Sequence, residues 1–66
     1  MKITLNGEAR EVSRGTTLQQ LILEAGQKPE ATVVERNGDI VDRAIYPSVH
    51  LEEGDTLELV QFVGGG

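Results

Sequence analysis

Leu57-Glu58-Leu59-Val60-Gln61-Phe62-Val63, running directly into Gly64-Gly65-Gly66, governs how the rest of the chain must be arranged. Its first seven residues have the pattern of a strand. Leu57, Leu59 and Val63 alternate onto one face, and β-branched or aromatic residues fill much of the remainder. The glycines that follow have no side chain to pack and accept φ values closed to other residues. Ordering them would cost about 1–2 kcal/mol per residue with almost no burial in return. A strand feeding a bare glycine run therefore reads as a presentation device, with the Gly66 carboxylate as the group presented. The alternative is a frayed end or a linker remnant. No polar spacer separates strand from glycines, which favours presentation. Each glycine adds about 3.3–3.6 Å of reach, so Gly64 and Gly65 suit threading Gly66 into a narrow channel that bulkier residues would block.

If Leu57 and Leu59 face a core, Glu58, Val60 and Phe62 face away from it. Val60 and Phe62 then form an apolar patch beside the tail, suited to partner docking, and Val63 at the start of the tail is a further partner-binding candidate. The competing expectation is that a loop, or the twist of the sheet, covers them.

Upstream, Met1, Ile3 and Leu5 alternate with Lys2 and Thr4 as a half-buried strand. Asn6-Gly7 is a strong hairpin signal, because a type I′ turn needs positive φ at both central positions. Glu8-Ala9-Arg10-Glu11-Val12 is the return strand, and Ser13-Arg14-Gly15 breaks it. Thr17 and Gln20 have capping-box spacing, as do Thr16 and Gln19. Leu18, Leu21, Ile22 and Ala25 form one apolar helical stripe, which Gly26 stops. Gln27-Lys28-Pro29-Glu30 reads as linker. Ala31-Thr32-Val33-Val34-Glu35-Arg36 is a third strand, turned by Asn37-Gly38 into the short return Asp39-Ile40-Val41. Between Asp42 and Leu51 there is no clean period. Ala44, Ile45 and Tyr46 before Pro47 suggest a single helical turn packed by apolar groups. Glu52-Glu53-Gly54-Asp55 is a turn, and Thr56 opens the last strand.

The order hairpin, helix, strand pair, irregular connection, last strand leaves one amphipathic helix to cover one sheet face. The first and last strands are expected at the centre and parallel, since a helical crossover and a long connection permit that pairing. This predicts an α+β ubiquitin-like β-grasp, a small mixed sheet on one main helix, with residues 1–63 as the domain and 64–66 as its functional tail.

Composition narrows the function. Sixty-six residues make one small domain with little room for a buried active site. No cysteine is present, so disulfides, thiolate nucleophiles and zinc–thiolate sites are excluded. The net charge of −5, from 11 acidic and 6 basic residues, argues against binding nucleic-acid phosphates. The start of the chain carries no signal-peptide pattern and no apolar run has the length of a membrane span. The expectation is a soluble, cytoplasmic protein that is a monomer when free. No glycine-rich phosphate loop with a lysine occurs. His50 reads as a surface or loop residue without a nucleophile partner, and Ser48 lacks the context of a modified carrier serine. Glu52, Glu53 and Asp55 read as a solvated acidic turn, suited at most to a basic partner, and not as a metal site.

The chain resembles the ThiS family of sulfur carriers over essentially its whole length. The residues that carry the resemblance are Met1 to Leu5 with the Asn6-Gly7 hairpin, Val34-Glu35-Arg36-Asn37-Gly38-Asp39-Ile40-Val41, the Gly54-Asp55 turn, and Leu57 to Gly66. The Gly-Gly ending alone is shared by all ubiquitin-like carriers; its combination with short length and Phe62-Val63-Gly64-Gly65-Gly66 is more specific. The resemblance implies that a ThiF-like enzyme adenylates Gly66 with ATP. A cysteine-derived persulfide, supplied by a cysteine desulfurase system, then leaves a thiocarboxylate there. A ThiG-like thiazole synthase receives the sulfur during thiamine biosynthesis. The carrier would bind no cofactor and perform no catalysis of its own. A carboxylate with pKa about 3.3–3.7 is ionised and a poor electrophile at neutral pH, so activation must come in trans. Rivals are a MoaD-like carrier for molybdopterin synthesis, a ubiquitin-like protein modifier, and an interaction module whose tail has no chemistry.

Overall fold

Both Asn-Gly pairs turn the chain as their residue types require. Asn6 and Asn37 sit at φ +49° and +51°, followed by Gly7 at +84° and Gly38 at +91°, the left-handed pair that a type I′ turn needs. The first turn joins β1 (Lys2–Leu5) to β2 (Glu8–Glu11), and the second joins β3 (Thr32–Arg36) to β4 (Asp39–Ile40). The last strand, β5 (Thr56–Gln61), completes a five-stranded sheet in the order β2-β1-β5-β3-β4. It pairs parallel with β1 and antiparallel with β3, so the final strand occupies the middle of the sheet. The computed structural model describes residues 1–62. Val63, and with it the expected boundary between domain and tail, lies outside them.

One helix covers one face. In α1 (Leu18–Glu24) the capping box forms at Thr17: its hydroxyl accepts from the Gln20 amide at 3.1 Å, and the Gln20 side chain accepts from the Thr17 amide at 2.8 Å. The alternative cap, Thr16, is instead buried and donates its hydroxyl to Ser13 O at 2.7 Å. At the other end, Gly26 at φ +80° lets the Gln27 and Gly26 amides return to Ile22 O and Leu23 O, both at 3.0 Å. These are the two bonds of a Schellman ending. Leu18, Leu21 and Ile22 are buried completely against Ile3, Leu5, Val34, Leu57 and Leu59, with Ala25 packed at the margin. Each such side chain contributes roughly 1.5–3 kcal/mol of transfer free energy. The architecture is the ubiquitin-like β-grasp.

Two connections differ from the expectation. The stretch read as linker contains a 3₁₀ turn, Pro29–Ala31, so the third strand starts at Thr32 and not at Ala31. Thr32 is held there by its hydroxyl, which donates to Lys28 O at 2.7 Å. The connection after β4 is a 3₁₀ helix over Arg43–Ser48, longer than one turn and with Pro47 inside it. Of Ala44, Ile45 and Tyr46, only Tyr46 is buried; the other two are exposed. A three-residue period points every third side chain inward, here Tyr46 and the half-buried Val49. The Tyr46 hydroxyl donates to Thr32 O at 2.8 Å, satisfying a carbonyl at the start of β3. Among the described residues no helix is long and apolar enough to cross a membrane.

Candidate functional site

The candidate site is the outer face of β5 and the end of that strand, so what fixes the strand comes first. On the β1 side the ladder reaches only Thr4–Thr56 and Leu5–Leu57. Asn6 extends it. Its amide donates to Leu57 O at 2.8 Å, and its side-chain oxygen accepts from the Leu59 amide at 2.8 Å. On the β3 side Asn37 acts similarly, donating its amide to Thr56 O at 2.8 Å and accepting from the Thr56 amide at 2.9 Å. Each hairpin asparagine thus supplies the turn and also clamps the central strand.

The base of β5 carries a polar network that the sequence reading missed. Glu52 and Glu53 are exposed as expected, but Asp55 is only 5% exposed, which corrects the reading of a solvated acidic turn. Asp55 accepts from the Arg36 Nε at 3.0 Å, the Asn37 Nδ2 at 3.0 Å and the Glu52 amide at 2.8 Å. Arg36 Nη2 lies 3.0 Å from the same carboxylate and 3.4 Å from Glu52. Burial pushes the Asp55 carboxyl up, but the hydrogen bonds from the Glu52 amide, Asn37 and Arg36, with the Arg36 charge, outweigh it. Its pKa lies below the ordinary value of 3.8. The only hint in the sequence was the three-residue spacing of Glu52 and Asp55, which suits an aspartate accepting from the amide three residues back.

Beyond this anchor the two faces of β5 separate. Leu57 and Leu59 are buried in the core, whereas Val60 is 60% and Phe62 44% exposed. Among the described residues no loop covers them, so the exposed patch expected of Val60 and Phe62 is present. Val63, Gly64, Gly65 and Gly66, read as docking and tail residues, lie outside the described residues. The register adds residues that the linear pattern did not supply. Val33 stands opposite Val60, and Glu35 stands opposite Glu58 and beside Ile40. All of these side chains are exposed on the outer face.

The remaining candidates do not join this site. His50 is exposed, and Ser48 donates its hydroxyl to Ile45 O at 3.0 Å. Among the described residues no three His, Cys, Asp or Glu side chains are grouped to hold a metal. What the arrangement offers is a rigid central strand with an apolar outer surface leading to its end.

The ThiS family model matches residues 3–66, nearly the whole chain. The chain belongs to the ThiS family. Among curated ThiS relatives, the sulfur carrier protein ThiS of Bacillus subtilis is 35% identical over 65 residues, covering 97% of this chain and 98% of that one. A thiazole synthase from Magnetococcus marinus is 48% identical over 66 residues. The match spans all of this chain but only 20% of the length of that relative, so a ThiS-like module there is part of a longer polypeptide. The crystal structure of the thiamine biosynthesis protein ThiS from Geobacter metallireducens superimposes with a TM-score of 0.82. It covers 100% of both chains at 28% identity.

Proposed function

We propose that this chain is a sulfur carrier of thiamine biosynthesis and a protein co-substrate, not an enzyme. The observation that carries the reading is the family match, which runs through residue 66 and so takes in the last strand and all three terminal glycines. A ThiF-like enzyme joins the Gly66 carboxylate to AMP, releasing pyrophosphate from ATP. A persulfide sulfur attacks the acyl carbon and AMP leaves; a thiol then cleaves the S–S bond, freeing a thiocarboxylate. A ThiG-like thiazole synthase takes up that sulfur. The ionised carboxylate is unreactive toward sulfur until it has a leaving group, and this chain contains no cysteine with which to supply sulfur itself. The exposed outer face of β5, with Val60 and Phe62, is the surface on which both enzymes dock. Gly64 and Gly65 reach into each active site in turn. ATP and sulfur come from the partners, and the carrier works as a monomer in the cytoplasm.

Intact mass spectrometry of the protein from its native cells, without thiol-reactive reagents, tests this reading. A species heavier by exchange of one oxygen for sulfur at Gly66 is the expected result. Covalent ladders on other proteins would indicate a modifier instead. An unmodified mass that persists with ATP, a sulfur source and the activating enzyme would refute the carrier. The companion variant is Gly65→Val, expected to abolish adenylation with an unchanged circular dichroism spectrum. Normal adenylation of that variant would count against threading.

A further inference from the structure

We propose that Glu35 and Glu58 form a specificity row that receives a cationic side chain, arginine or lysine, from the docking face of thiazole synthase. This rests on the carrier reading above and names the chemistry by which one partner is recognised.

The antiparallel register places Glu35 directly opposite Glu58. The bonds from Phe62 to Ala31 and from Asn37 to Thr56 mark the two ends of the ladder. Alternation between them makes Glu35–Glu58 and Val33–Val60 hydrogen-bonded pairs, with Cα atoms about 5.5 Å apart. Two like charges so placed weaken a sheet. Among the described residues neither carboxylate has an ion-pair partner. Lys2, the lysine on this face, lies beside Gly54, four residues back along β5 from Glu58 and so about 13 Å away. The fold thus retains an uncompensated doublet of charge at the centre of its sheet.

Its surroundings say what fits. Val60 and Val33 form the next row toward the strand end, about 7 Å on, with Phe62 beyond, and Ile40 closes the other end of the acidic row. Ile40 is 68% exposed. An apolar frame on two sides of a paired carboxylate matches a partner surface bearing one cation set among apolar side chains. Apolar contacts surrounding the pair keep water from it, and the charge fixes register and orientation. The choice of thiazole synthase follows from the Magnetococcus marinus relative, in which a closely similar module is part of a protein of that name. An adenylating enzyme is the competing occupant.

Calorimetric titration against thiazole synthase from the same organism, at low and raised salt, tests the proposal. Glu35→Gln and Glu58→Gln are each expected to weaken Kd about tenfold and to flatten its salt dependence. The melting temperature should hold or rise, because the repulsion has been relieved. Phe62→Ala is the control for the docking reading. If Phe62→Ala weakens binding and the glutamine variants do not, the charge row is wrong and the docking face stands. If none of the three changes binding, the docking face itself is wrong and the proposal falls with it. A glutamine variant that loses affinity together with melting temperature would reassign the pair to the fold. Loss confined to the adenylating enzyme would overturn the choice of partner.

Discussion

Leu59 and Val60 are neighbours in the chain, close in size and both apolar, yet they do different work. Leu59 is 4% exposed under the helix; Val60 is 60% exposed on the opposite face. One contributes to holding the domain together, and the other contributes almost nothing to folding because water reaches it in either state. Hydrophobicity alone does not separate them. Position in a strand of period two does, once a helix has chosen which face to cover. The outer face is therefore free to carry features that folding would not select, including an exposed aromatic side chain and an opposed pair of glutamates.

Substitutions should divide along the same line. The largest effect is expected from Leu59→Ala, which deletes core volume beneath α1. It should destabilise by about 2–5 kcal/mol, lowering the melting temperature by more than about 10 °C for a domain of this size. Thermal unfolding followed by circular dichroism measures this, and a shift of only a degree or two would mean that the inner face is not the core.

Asp55→Ala should come next, at about 2–3 kcal/mol, since it removes the acceptor of the Arg36 Nε, the Asn37 side chain and the Glu52 amide. This site also gives the contrast a pH signature. The folded-state pKa of Asp55 is held below its ordinary 3.8. Its contribution is therefore fully present above that value and is lost as pH falls through the lower folded-state value. The melting temperature of the natural chain should fall more steeply below about pH 4 than that of Asp55→Asn. Parallel curves would show that the network is not what anchors the strand.

The smallest changes in stability belong to the outer face. Val60→Ala and Phe62→Ala should each alter stability by no more than about 0.5 kcal/mol. Affinity for the partner enzymes should nevertheless fall about tenfold, as expected where truncation removes more than ~1 kcal/mol of contact. A large fall in melting temperature for Phe62→Ala with unchanged affinity would move that residue into the fold and erase the distinction between the faces.

Local signals accounted for much of this structure. The two Asn-Gly turns, the Thr17 cap and the Gly26 stop follow from residue types acting within a few positions of one another. The alternation of Leu57 to Phe62 was enough to give the face on which Val60 and Phe62 stand. The readings that failed depend on contacts between distant segments. Pro29 reads as part of a linker and Pro47 as lying after a helical turn, yet Pro29 opens one 3₁₀ turn and Pro47 lies inside another. Ala44 and Ile45 carry the same apolar signal as Tyr46, and only the packing of that turn against α1 and the Pro29–Ala31 turn, with the Tyr46 hydroxyl bonded to Thr32 O, selects Tyr46.

Residue order alone settled that this chain is a small mixed sheet on one helix and that its last strand leads into glycines, because periodicity and turn chemistry act locally. Tertiary structure decided which acid is buried and which acids oppose each other. Asp55 is desolvated only because Arg36, Asn37 and the Glu52 amide converge on it. Glu35 meets Glu58 only through the register of β3 on β5. Both outcomes depend on strand pairing across a long stretch of chain, where a slip of one residue would turn every side chain to the other face.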